Sequence, residues 1–132
     1  MGLENLVGVI GHAEDKVEEE HISIRDNTGV LPVYSFSNIL HLMEVSACNA
    51  VQDRLPTGKT TLPTAINVKY ISSTPIGHHV QSEARILKVE GQRIYYKIIA
   101  YDEKGKIAEG THERFIVSVD NFMEKISKKN VM

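Results

Sequence analysis

Apolar residues thicken between Asn38 and Leu55, where Ile39, Leu40, Leu42, Met43, Val45, Ala47, Cys48, Ala50 and Val51 leave few polar gaps. They cover more than one stripe of a helical wheel, so the run predicts a helix enclosed on most sides. Ser37 is its expected N-cap, and Pro56-Thr57-Gly58 ends it. Upstream, residues 19–25 predict a first strand, followed by a turn at Asp26-Asn27-Thr28-Gly29. Downstream, extended segments are predicted over Thr61–Ser73, His79–Val89, Gln92–Asp102 and Lys106–Val119. Thr74-Pro75-Ile76-Gly77, Glu90-Gly91 and Glu103-Lys104-Gly105 supply the turns between them. In the third segment Ile94, Tyr96, Ile98 and Ala100 mark one face by period-two spacing. Residues 121–128 predict a short closing helix. Before residue 19 the pattern is ambiguous: Leu6, Val7, Val9 and Ile10 fit an edge strand, a short helix or a dimer contact.

Long strands around one short apolar helix pose a burial problem for both. An antiparallel sheet that curls about the helix solves it, which predicts an α+β architecture. The length of 132 residues fits a single domain over 1–132, with 1–18 as an unassigned N-terminal segment.

Charge removes some function classes. The formal net charge is −2 and no basic run appears, which argues against a nucleic-acid surface. No apolar stretch has the length of a membrane span, and Met1–Asn5 lacks a signal-peptide pattern. The expectation is a cytoplasmic protein without membrane partners. Cys48 has no second cysteine to pair with and is read as a small core residue.

Glu44 is the chemically informative position, a carboxylate with Leu40 and Cys48 one turn away on either side. Such a group needs a partner, a raised pKa or a wet cleft beside it. It is read either as a structural residue bonded to backbone or to His41, or as an active-site carboxylate. Histidine spacing defines no metal site: His78 and His79 are adjacent, and no pair stands at helical i, i+4. The stretch Leu55–Thr61 imitates the tail of a phosphate-binding loop, but Asp53 occupies the required glycine position and the element order is reversed. No Gly-x-Ser-x-Gly elbow is present. Ser35 and Ser37 precede the helix, where free N–H groups favour an anion or a polarised carbonyl.

Several blocks together resemble the hotdog-fold fluoroacetyl-CoA thioesterase family. They are Val33-Tyr34-Ser35-Phe36 leading to Leu42-Met43-Glu44, Thr64-Ala65-Ile66, Ser73–Gly77, Val89–Arg93, and Gly110-Thr111-His112-Glu113-Arg114. The similarity runs over roughly residues 30 to 122. It implies an antiparallel sheet wrapped around a central helix, and a homodimer with acyl-CoA sites at the subunit interface. The family works with a threonine before the helix, a glutamate on it and a histidine on the next strand. The glutamate falls on Glu44; Phe36 takes the threonine's place and Tyr70 the histidine's. A phenol with a pKa of ~10 stays protonated and cannot serve as the same base. The remaining route has Glu44 activate water while Tyr70 and an N–H at the helix start hold the oxyanion. Ser35 or Ser37 is an alternative hydroxyl and Phe36 a pocket wall. His112 and Arg114 share a face of the last strand, which the resemblance puts near the site, with Arg114 open to a coenzyme phosphate, Glu113 or Glu83. Gly77 is read as a turn residue, Gly110 as a close approach or a bulge. The implied chemistry is thioester hydrolysis without metal or redox cofactor, coenzyme A being part of the substrate. The competing reading is a non-catalytic dimer that binds an acyl-CoA or another small ligand.

Overall fold

The computed structural model describes residues 3–130; Met1 and Gly2 of the N-terminal stretch read above lie outside the described residues, as do Val131 and Met132. Five strands, β1 (Ile10–Lys16), β2 (Lys59–Tyr70), β3 (His79–Glu90), β4 (Arg93–Asp102) and β5 (Gly105–Ser118), form one antiparallel sheet in the order β1-β3-β4-β5-β2. The period-two reading of β4 holds: Ile94, Tyr96, Ile98 and Ala100 are all fully buried. Val80, Ala84 and Ile86 of β3 and Ile116 of β5 extend the same core.

Helix α2 (Phe36–Val51) packs on that face through Ile39, Leu42, Met43, Ala47, Ala50 and Val51. It comes closest at β1, where a Cβ on Gly11 would stand 2.1 Å from the Ser46 carbonyl oxygen. The small Ser46, Ala47 and Ala50 therefore set how near the helix sits to the sheet. Ser46 is satisfied in that contact, donating to the Met43 carbonyl (2.7 Å) and sharing a hydrogen bond with Ser82 (3.0 Å).

Three expectations are corrected. Residues 19–25 are not a strand: Glu19–His21 is a 3-10 turn and Ser23–Asp26 a one-turn helix, α1. Local polar bonding wins over extension there, since the Glu18 N–H donates to His21 Nδ1 (3.1 Å) and Asn27 closes α1 in the left-handed conformation. The edge-strand role falls to Ile10–Lys16; of the residues read as a possible edge strand only Ile10 joins it, since Leu6 ends a 3-10 turn over Leu3–Leu6 and Val7 and Val9 precede the strand. The helix cap is Ser35, not Ser37; its Oγ accepts from the Asn38 N–H (3.1 Å) and from Asn38 Nδ2 (2.8 Å). Tyr34 fixes this shift by donating to Asp15 of β1 (3.1 Å). Nor is α2 enclosed on most sides. Leu40, Glu44, Val45 and Cys48 are only half-buried, because the sheet packs on one side of the helix and the described residues cover the other only in part. Helix α3 (Val119–Ser127), capped by Ser118, follows β5 directly and passes into a 3-10 turn over Lys128–Asn130.

Candidate active site

Glu44 stands on the uncovered stripe of α2, its side chain 38 % exposed, with its carboxylate 3.8 Å from the Arg114 guanidinium. This partner replaces the expected His41, which is exposed. It also corrects the pairing read for Arg114, since Glu113 turns to the opposite face and pairs with Arg93 at 2.6 Å. Arg114 is only 5 % exposed and is held by donation from Nε to Thr61 Oγ1 (2.9 Å) and from Nη2 to the Thr61 carbonyl (3.4 Å). Its Nη1 lies 3.2 Å from His112 Nε2.

That contact settles the state of His112. A guanidinium can only donate, so Nε2 accepts and the ring proton sits on Nδ1, donated to the Ala65 carbonyl (2.8 Å). Burial holds the His112 pKa below its ordinary value; the hydrogen bond to Ala65 opposes this, and the Arg114 charge lowers it further. The imidazole is therefore neutral. Among the described residues, Glu44 is the carboxylate that meets the buried Arg114 charge. Beneath them Tyr96 donates to the Ala47 carbonyl of α2 (3.1 Å) while its ring tilts against His112, centroids 5.6 Å apart. Burial pushes that phenol well above its usual range.

A second group gathers at the helix start. Phe36, the first residue of α2, meets Tyr70 edge to face at 5.7 Å, and Tyr70 bonds to the Ser73 hydroxyl. Both rings are exposed. Eight residues of helix separate Phe36 from Glu44, about 12 Å at 1.5 Å per residue. The Phe36–Tyr70 pair therefore sits about two turns of α2 before Glu44. Ser35 is buried and occupied as a cap, whereas Ser37 is exposed on the first turn. Gly77 is a turn residue at φ +96°, apart from the Glu44 group. Gly110 packs so closely on β2 that a Cβ would lie 1.9 Å from the Asn67 carbonyl oxygen. No cluster of three or more metal-ligating side chains occurs among the described residues.

A family model for the fluoroacetyl-CoA-specific thioesterase matches residues 17–120. The chain belongs to this family. The fluoroacetyl-CoA thioesterase of Streptantibioticus cattleyicolor is 33 % identical over 97 residues, covering 74 % of this chain and 70 % of that protein. A structure of a fluoroacetyl-CoA thioesterase variant with acetyl-CoA superimposes with a TM-score of 0.86 at 27 % identity, over 94 % of this chain and 98 % of that one. A hot-dog-like protein from Thermanaerovibrio acidaminovorans superimposes with a TM-score of 0.91 at 22 % identity, over 100 % and 99 % of the two chains, and speaks for the fold alone. The architecture is the hotdog fold, and the function is thioesterase-like.

Within that frame, Phe36 and Tyr70 prove to be neighbours in space, packed on each other. Thr61 and Tyr96 were missed in the sequence. Thr61 becomes legible only once β2 is registered against β5, which sets it opposite Ile116 and next to Arg114, and Tyr96 only once β4 is registered against β5, which sets it opposite His112.

Proposed function

We propose that this protein hydrolyses an acyl-CoA thioester, with Glu44 orienting and deprotonating the attacking water. The observation that carries the reading is the half-exposed Glu44 carboxylate facing a buried guanidinium. Arg114 is clamped by Thr61 and His112, so it gives Glu44 a fixed counter-charge in a partly desolvated setting. Water loses its proton to Glu44 as its oxygen attacks the thioester carbonyl. The oxyanion is met by donors, and the thiolate leaves with the proton.

The donor we assign is the Tyr70 hydroxyl of a second copy, since Tyr70 packs on Phe36 at the start of α2, about two helical turns from Glu44. Strand β2 pairs with β5 and leaves its other edge free along twelve residues. Exposed Phe36, Tyr70 and Ile71 lie at one end of it. A free edge of that length favours cover by another chain. A homodimer would cover this edge and the open stripe of α2 together, making the acyl-CoA pocket an interface. This chemistry needs neither metal nor redox cofactor, and coenzyme A enters as part of the substrate.

One observation favours a second reading, a non-catalytic acyl-CoA-binding dimer. The Phe36–Tyr70 pair offers no nucleophile and no base at neutral pH. A panel of short, medium, branched and aromatic acyl-CoAs, with free thiol as the readout, separates the two. Saturable thiol release supports the enzyme. Saturable coenzyme binding without release for any acyl group supports the binding dimer. Light scattering of the same sample tests the dimer: a mass of one chain contradicts it.

A further inference from the structure

We propose that the groove between α3 and the face of the sheet turned away from α2 binds a phosphorylated nucleoside. The groove measures ≈ 560 Å³, within the range of small-molecule sites. Phe115 of β5 alternates with the buried Arg114 and Ile116 and so faces away from α2; Leu62 lies opposite it on β2. Phe122 of α3 supplies a second aromatic wall. Asn121, Phe122 and Lys125 share one face of α3 and line the groove together.

Charge selects the occupant. Lys59, Arg93 and Lys125 line the groove and no carboxylate does, in a chain whose net charge is −2. Arg93 is neutralised by Glu113 and lies over the Phe115 ring at 5.2 Å. Lys59 and Lys125 make no ion pair among the described residues, which leaves two cations for phosphate oxygens. Aromatic walls suit a flat ring, and the amides of Gln92 and Asn121 suit the donor and acceptor edge of a heterocycle. A simple fatty acid would leave those amides unmatched. The site stands independently of the Glu44 chemistry, although the nucleotide end of the coenzyme carries the same groups as a free nucleotide.

Calorimetry with adenosine 3′,5′-bisphosphate, adenosine and inorganic phosphate tests it on the whole chain. The bisphosphate should bind saturably and more tightly than either fragment, and Lys59→Ala with Lys125→Ala should weaken it about tenfold or more. Glu44→Gln should leave that binding intact, so failure of the thioesterase reading and failure of this one are distinguishable. If the double substitution raises KM for an acyl-CoA, the occupant is the coenzyme's own nucleotide; if KM is unmoved, it is a separate nucleotide. Either result supports the site. Absence of saturable binding, or binding indifferent to both lysines, overturns it.

Discussion

The rings of Phe36 and Tyr70 meet edge to face, centroids 5.7 Å apart, where α2 begins and β2 ends. Tyr70→Phe keeps the ring contact and removes the O–H. If that hydroxyl holds the oxyanion, kcat for thiol release should fall about 100-fold with KM little changed, the usual cost of losing one such donor. An unchanged kcat would assign Tyr70 to the pocket wall.

Arg114 is the counter-charge of Glu44 and the donor to two other residues. Arg114→Met keeps the length and removes every donor, leaving His112 Nε2 and the Thr61 oxygens unmatched. Urea denaturation should show a loss of about 1–3 kcal/mol for the buried His112 acceptor left without a partner, and less for the half-exposed Thr61. Thiol release should fall as well. Arg114→Lys, with the charge but not the planar fork, should recover only part of either.

The neutral His112 makes stability depend on acid. Its folded pKa lies below the ordinary 6.5, so the folded state resists a proton that the unfolded chain accepts. Stability is therefore constant above about pH 7 and falls as pH drops through 6.5 toward the folded value. His112→Gln, which offers a donor and an acceptor but does not titrate, should flatten that part of the profile. Chemical denaturation at several pH values between 5 and 8 checks it, and an identical slope in both proteins contradicts the assignment.

Two glycines should respond differently. Gly110→Ala drives a methyl group into the Asn67 backbone and should cost more than about 4 kcal/mol, or prevent folding. Gly77→Ala meets open space but keeps a positive φ, so its cost should stay near 1–2 kcal/mol. Thermal unfolding separates them.

The strands from Lys59 onward and the apolar helix were legible because each is long and keeps one period. Gly110 was legible as a close approach since a glycine inside a strand has few other uses. Residues 19–25 were not, because Glu18, His21 and Asn27 bond to backbone locally, a choice that apolar spacing does not record. The close crossing of α2 at Gly11 left no local mark either, as it depends on β1 lying beside β3. Glu44 was singled out from the helix alone, but its partner Arg114 is seventy positions away and meets it only once α2 lies over the sheet. Its exposure was misjudged for a related reason: apolar Leu40, Val45 and Cys48 read as core, whereas one protomer leaves them half-covered.

The direct measurement is steady-state thiol release by the Glu44→Gln protein on its best acyl-CoA, with coenzyme binding followed in parallel. Losing a positioned base costs about 100- to 10,000-fold, so kcat should fall by that range while binding stays intact. A glutamine variant that turns over at the parent rate would remove Glu44 from the chemistry and contradict the account.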